Sequence, residues 1–455
     1  MRLHARLLPP LLLAGIALLP SGGAHATTIA IEGARVFDGR EDLGQVTMLL
    51  RDGVIQAIGA AGTIEIPADA VRHSYAGCHL VPGLVSDHSH VGNTSGTEHG
   101  DRFYTQEVVL RDLRQFQAYG ITTVTALGMN GPDFYAIRAR VSDAPRLGAQ
   151  LLGAGPGIGA PQGAPPAAIM GLEQDPMPRP ATAEAARAAV RSQAEAGVDL
   201  IKLWVDDLGG RFPPMTPEVY RAAIDEAHRH ELKVAAHIHD LEPARDLVTH
   251  GLDIIAHGVR DRPVDAAFIA AMKRHGTWYV PTVNIDEANY LYAEHPGWLQ
   301  DPFVANALPP AMRARIADPG WRREQLGKAD APRRAVATNL ANLKALHEAG
   351  VRIGFGTDSG AMPQRVIGVA EHRELELMIQ AGFTPRQALR TATADAAALL
   401  GLDDRGVLAA GRRADFVVLS ADPLADIRNT RSIEAVWQAG QQVAGPVAGY
   451  QVHAE

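Results

Sequence analysis

From about residue 80 to residue 357 the chain alternates apolar, β-prone runs with segments of helical pattern. The β-prone runs fall at residues 80–90, 121–127, 147–153, 198–205, 233–237, 254–257, 277–283 and 351–357. Helical patterning lies between them at residues 105–119, 181–196, 217–230, 243–250, 264–275 and 334–349, and Gly120, Gly197 and Gly350 punctuate three of the ends. Strands separated in this way pair in parallel through right-handed crossovers. Eight such units close into a (β/α)8 TIM barrel. The competing architecture is a doubly wound open sheet. Its dinucleotide-binding version lacks support, because no Gly-x-Gly-x-x-Gly follows a strand.

The flanks read differently. Residues 28–80 hold short β-rich stretches at 28–31, 34–37, 46–50, 54–58 and 63–66, with turn signals at Asp38-Gly39, Asp52-Gly53 and Gly59. So few short strands bury little by themselves. β texture returns after residue 400, at Gly406-Val-Leu, 415–419, 433–437 and Gln442-Val443. The economical account is one composite β-sandwich domain built from both chain ends (27–80 and 401–455), with a barrel over 81–400 inserted into it. A Gly/Pro-rich loop at 153–180 and an irregular insertion at 286–332 complete the outline.

Residues 1–26 carry Arg2 and Arg6, a short apolar run and Ala24-His25-Ala26, the pattern of a secretory signal peptide. The expectation is an exported protein, periplasmic or secreted, with no membrane association after cleavage. A net charge of −8 argues against nucleic acid as a partner. One cysteine, Cys78, excludes an internal disulfide and a Cys-rich metal site. The sequence leaves room for a homo-oligomer without specifying one.

Barrel chemistry sits at the carboxyl ends of the strands. The first run, Val81-Pro-Gly-Leu-Val-Ser-Asp-His-Ser-His90, ends in two histidines at i and i+2, which share a strand face. The fourth run holds Lys202, the fifth ends in His237-Ile-His239, the sixth in His257, and the eighth in Gly-Thr-Asp358. Each has a bland reading: loop histidines, a lysine reaching solvent, a hydrogen-bonded core histidine, or an aspartate shaping its turn. Metal-competent groups at one end of four strands make coincidence a strained account. Imidazoles and a carboxylate can hold two divalent cations, most simply zinc. A desolvated lysine amine is more easily neutral and can add carbon dioxide as a carbamate, a bridging oxygen ligand. Asp358 is placed to take a proton from the attacking water and pass it to a leaving amine.

At these residues the chain resembles the amidohydrolase superfamily, on the imidazolonepropionase-like and Xaa-Pro dipeptidase-like branch. The matching stretches are the 81–90 run, Ile201-Lys202, Ala235-Ala-His237, Ala256-His257-Gly and Gly356-Thr-Asp358. Further along the chain, Gly382-Phe-Thr-Pro385, Gly411-Arg-Arg-Ala-Asp415 and Asp422-Pro423 also match. The resemblance implies that His88 and His90 bind one metal, Lys202 bridges as its carbamate, and His237 and His257 bind the second. It also implies that Asp358 ligates the first metal and serves as acid and base. It implies hydrolysis of a C–N bond in a small amide, dipeptide or N-acyl-amino acid. The family usually has Asp two residues before the first histidine; here Ser86 stands there and Asp87 follows. His239, Arg260 and Tyr279 are the candidate substrate contacts, with His99, Tyr104, Tyr290, Tyr292 and Trp298 on loops that could line the pocket. Alternatives are an esterase or lactonase on the same metals, a mononuclear deaminase, and a non-catalytic metal-binding protein.

Overall fold

The structure is a computed structural model and describes residues 27–452; the expected leader over 1–26 lies outside them. Among the described residues no helix is long and apolar enough to cross a membrane. The N-terminal strands are β1 (Ile29–Phe37), β2 (Asp42–Arg51), β3 (Val54–Ala60), β4 (Val71–Ser74) and β5 (His79–Pro82). Next come β6 (Leu84–Ser89), a small hairpin of β7 (Thr94–Ser95) and β8 (Glu98–His99), β9 (Ile121–Ala126) and β10 (Gln150–Gly153). The remaining strands are β11 (Ile201–Trp204), β12 (Val234–His237), β13 (Ile254–Ile255), β14 (Trp278–Tyr279), β15 (Phe416–Leu419), β16 (Ile433–Gln438) and β17 (Gln441–Ala444). Residues 63–66 and 406–408, expected as strands, form none; β4 lies a few residues beyond the first of these.

The two chain ends meet in one sheet of order β17-β16-β15-β5-β1-β2-β3, with β4 paired to β1. The seam is β15 antiparallel to β5, in register Phe416 with Pro82 through Leu419 with His79. This is a single curled sheet rather than a sandwich of two. The β2–β3 turn reaches the β16–β17 turn, where a Cβ on Gly53 would lie 3.0 Å from the Ala439 carbonyl. The curl encloses its own apolar core of Ile31, Val36, Met48, Leu50, Phe416 and Trp437. Trp437 stacks on Phe416 and its indole N–H donates to Tyr75.

The alternating region forms two parallel arcs, β10-β9-β6 and β11-β12-β13-β14. Helices Gln106–Ala118, Phe134–Asp143, Ala183–Glu195, Pro217–Arg229, Leu241–Thr249 and Ala266–His275 cross between successive strands, and Asp330–Glu348 follows β14. Thr105, Thr182 and Asp265 cap three of them by accepting backbone N–H bonds. Isolated parallel bridges join the arcs: Ile158 with Leu203, Tyr279 with Ile353, and Ser89 with Ser359. No continuous ladder closes the ring, and the eighth strand expected at 351–357 is not a regular strand.

The reason lies in Asp87. Its buried carboxylate accepts the Phe355 N–H at 2.9 Å, taking the place of a backbone acceptor, while the Asp87 N–H donates to the Phe355 carbonyl at 2.6 Å. Thr357 N and Asp358 N both donate to the His88 carbonyl at 3.0 Å, and His90 N to the Ser359 carbonyl at 2.7 Å. The segment is therefore stitched to β6 by a mixed side-chain and backbone seam. Gly356 permits the approach, since a Cβ there would lie 2.7 Å from the His88 Cβ.

The insertion expected to be irregular is helical, with turns at Asn284–Glu287, Leu291–Glu294, Pro302–Ala305, Pro310–Ala317 and Pro319–Gly327. Its prolines start helices rather than break them: Pro302 and Pro319 sit at the first helical position behind the capping carboxylates of Asp301 and Asp318.

Burial pushes the Asp87 carboxyl well above the usual range, opposed by the Phe355 N–H. An amide oxygen can accept the same N–H, so Asp87→Asn should keep more stability than Asp87→Ala, which orphans a buried N–H and should cost about 1–3 kcal/mol. Urea midpoints of the two variants check this, and equal losses in both would refute the acceptor role.

Candidate metal centre and cavity

His88, near the end of β6, and His90, just beyond it, turn their Nε2 atoms toward one oxygen, Asp358 Oδ1, at 3.0 and 3.1 Å. The three donor groups lie within 4.8 Å of one another and are buried. The rings continue as a chain of contacts. His88 lies 4.5 Å from His257, and His257 lies 4.3 Å from His237, measured between centroids. His237 is the last residue of β12, and His257 follows β13 by two residues. The face alternation read from the sequence is thus realised, since strand ends from separate elements converge on one place.

The outer nitrogens are tied to the frame. His88 Nδ1 meets the Ala256 carbonyl at 2.6 Å, His90 Nδ1 the Gly128 carbonyl at 3.2 Å, and His257 Nδ1 pairs with Thr282 Oγ1 at 2.9 Å. A carbonyl accepts only from a protonated nitrogen, so the first two rings carry a proton on Nδ1, and His88 when neutral presents a bare Nε2 lone pair inward. Burial, with Lys202 nearby, lowers His88 to about 3, so the ring is neutral. Burial also lowers His237, and it lowers His257 well below the usual range. Burial alone would raise Asp358, but the Arg365 guanidinium outweighs it and holds the carboxyl well below the usual range. A neutral imidazole lone pair therefore faces a carboxylate oxygen at 3.0 Å with no proton between them. The contact is repulsive unless a cation lies there.

A second imidazole–carboxylate contact lies beside it. His237 Nε2 stands 3.2 Å from Asp206 Oδ2, and neither atom has another hydrogen-bond partner. Burial would raise Asp206, but the His237 ring and Arg260 hold it down. Sequence reading missed Asp206, although the signal was present. Lys202, Trp204 and Asp206 follow the i, i+2, i+4 spacing of one strand face. Lys202 is fully buried on β11 and its Nζ has no hydrogen-bond partner. Burial lowers its amine to about 7, against the pull of Asp358 and Asp206. These orphaned donors fit divalent cations and an added acidic group on the amine.

Asp358 itself is held in the left-handed region at φ 61°, and Thr282 at 41°; strain of this kind persists only where the surroundings impose it. Glu371 supplies that support. Thr357 Oγ1 and Ser359 Oγ, flanking Asp358, both donate to Glu371 Oε1 at 2.6 Å. The support expected from an acid two residues before His88 is absent, because Ser86 Oγ bonds Ser89 Oγ at 2.6 Å. The Ala256 carbonyl orients His88 instead.

A cavity of about 400 Å³ opens on this cluster, touching His90, His237 and Asp358. His239 and Arg260 line it. His239 pairs with Asp240 at 2.5 Å. Arg260 is committed to Asp286 at 2.9 Å and to the carbonyls of Ile238 and Gly258. Tyr279 does not line it; its buried hydroxyl accepts the Val259 N–H at 2.8 Å. His99, Tyr104, Tyr290, Tyr292 and Trp298 do not line it either; Ile285 and Asp286 are the contributions of the insertion. Arg365, seven residues past Asp358, pairs with Asp358 Oδ2 and was not signalled by any strand end.

Residues 79–445 match the model of the amidohydrolase family. Ochratoxinase of Aspergillus niger is 24% identical over 469 residues, spanning 93% of this chain and 88% of that protein. The crystal structure of a candidate prolidase from Bifidobacterium longum aligns with a TM-score of 0.71 at 27% identity, over 92% of this chain and 95% of its own. A Xaa-Pro dipeptidase with methionine bound in its active site aligns at 0.73 and 21% identity, over 91% and 99%. Such likeness implies a TIM barrel plus a β-domain, here with the barrel ladder interrupted as described.

The burial of Lys202 has a measurable consequence in metal-free protein. Between about 7, its folded value, and 10.5, its ordinary one, the unfolded chain still holds a proton that the folded chain has shed. Stability from this group therefore rises with pH across that window, by at most about 1.4 kcal/mol per unit. Lys202→Met should lack this rise and be the more stable of the two near pH 7. Urea denaturation of both proteins from pH 7 to 10 checks it; parallel pH profiles would show that Lys202 stays charged.

Proposed function

The chain belongs to the amidohydrolase family, and on that premise we propose that it hydrolyses the C–N bond of a small amide, dipeptide or N-acyl-amino acid at a binuclear metal centre. The observation that carries this reading is the pair of close imidazole–carboxylate contacts, His88 with Asp358 and His237 with Asp206, around an unpartnered Lys202 amine. In this reading His88, His90 and Asp358 hold one divalent cation, and His237 and His257 hold the other. Imidazole and carboxylate donors suit zinc.

Lys202, near-neutral at physiological pH, attacks carbon dioxide. A new N–C bond would form as the amine loses a proton to water, and the carbamate would offer the cations an oxygen ligand. Bound divalent ions supply Lewis-acid polarisation of the scissile carbonyl and acidify water. Asp358 takes the proton of the attacking water on a carboxylate oxygen and returns it to the departing nitrogen. The Glu371 brace on Thr357 and Ser359 holds that carboxylate against the histidines throughout. Export is part of the same proposal, resting on the leader pattern of residues 1–26.

The test is metal content and hydrolysis measured together, on protein purified with bicarbonate, for wild type and Lys202→Ala. About two zinc-like ions per wild-type chain, with metal and activity both lost in the variant, are expected for a carbamate-bridged pair. One ion in both proteins, with the variant fully active, would remove the bridge and favour a mononuclear aminohydrolase, to be assayed on purines and pyrimidines. Matched amide and ester substrates separate the esterase alternative.

A further inference from the structure

The helix Val369–Gln380 buries two glutamates three positions apart, Glu371 and Glu374, and residues so spaced share a helix face. Glu371 grips Thr357 and Ser359 on either side of Asp358. Glu374 reaches a different loop, the one that leaves β14. Its Oε1 accepts the Val283 N–H at 2.7 Å and its Oε2 accepts the Asn284 N–H at 2.9 Å. Thr282, the residue before them, is fully buried, holds φ 41° and pairs its hydroxyl with His257 Nδ1 at 2.9 Å. A β-branched residue keeps that left-handed conformation only where its surroundings impose it. On one side the Asn339 amide donates to the Pro281 carbonyl at 2.9 Å, and the Gly258 N–H donates to it at 3.0 Å. On the other side the Glu374 carboxyl pins the next two N–H groups. The neighbouring Arg373 goes to Glu287 and Glu376 instead, and among the described residues Glu374 forms no ion pair. A buried carboxyl without a cation is a costly anchor for a loop. What it does that an apolar contact cannot is fix two successive N–H groups at once, and with them the direction of Thr282.

We infer that Glu374 is a positioning residue for the second cation: it holds the Thr282 hydroxyl on His257 Nδ1 and so fixes the ring assigned to that cation. The inference rests on the binuclear reading and deepens it. A ring bonded through its outer nitrogen is fixed in tautomer and direction, and losing such a bond weakens metal binding about 10–100-fold. One helix face then serves both halves of the centre, Glu371 through the neighbours of Asp358 and Glu374 through the partner of His257. The spacing of the two halves is set by one rigid element, across strand ends that no continuous ladder joins.

The experiment uses full-length, zinc-loaded protein purified with bicarbonate and titrated with a chromophoric chelator, so that two stepwise zinc affinities are read without turnover. Glu374→Gln, which keeps one acceptor oxygen and loses the other, should weaken one affinity about 10–100-fold and leave the other within about 3-fold. In a His257→Ala background, expected to hold one ion, Glu374→Gln should change nothing further, because its route runs through the absent ring. Glu371→Gln should still weaken the remaining ion there, since it serves Asp358. Thr282→Val should reproduce the Glu374→Gln loss, and Thr282→Ser, which keeps the hydroxyl, should retain the wild-type affinities. Should Glu374→Gln fail to fold, the two Thr282 variants decide. Unchanged affinities in Glu374→Gln or in Thr282→Val would overturn this inference and leave the binuclear centre intact. So would an undiminished effect of Glu374→Gln in the His257→Ala background, which is the mark of a merely structural role. Fewer than two ions on the wild-type chain would overturn the binuclear reading and this inference with it.

Discussion

Everything at the centre of this molecule follows from electron-rich atoms buried together without enough protons to separate them. His88 is neutral and presents a lone pair to an ionised Asp358, with His237 3.2 Å from Asp206 beside them. A lone pair held against a carboxylate is repulsive in a medium of low dielectric, where a misplaced polar atom costs several kcal/mol. A chain folds around them only if the surrounding structure forces the geometry or a cation relieves it. The first condition is met here, and the frame around the donor set is correspondingly heavily bonded.

That frame is built in layers. Carbonyls of Ala256 and Gly128 fix the two histidine rings of the first strand. Glu371 grips the residues on either side of Asp358, and Asp87 draws Phe355 onto β6 with a side chain where a ladder bond would otherwise run. Regularity of the eighth strand is lost as a result. In return Asp358 can sit at φ 61° beside His88, a position that a straight parallel strand would not provide. The interruption of the barrel and the placement of the carboxylate are therefore one structural decision.

The sequence made the strand-end residues legible because alternation by two puts side chains on a common face regardless of what surrounds them. His88 with His90, Lys202, His237 and His257 all follow from that rule. Asp206 follows from it too, once the face is continued past Trp204. Arg365 does not, because a loop residue seven positions past Asp358 is brought back by tertiary folding that no period encodes. The helical turns of the insertion were hidden for a different reason. Proline reads as a breaker until the preceding aspartate is recognised as a cap, which makes Asp301-Pro302 and Asp318-Pro319 helix starts. Arg260 illustrates the limit of residue type alone: its place at the cavity was readable, but its partner Asp286, 26 positions away in sequence, was not.

Net charge and local charge separate in the same way. The chain carries a formal −8, yet the cavity presents guanidiniums from three different loops to any molecule entering it. Carboxylates are abundant elsewhere, and most pair with arginines at the surface, where exposed pairs contribute little. At the cavity three guanidiniums, of Arg211, Arg260 and Arg365, meet two carboxylates, Asp286 and Asp358, so the local balance of these side chains runs opposite in sign to that of the whole chain. Walls such as Trp204 and Met129 keep that balance in surroundings of low dielectric, where a charge acts more strongly than at the surface.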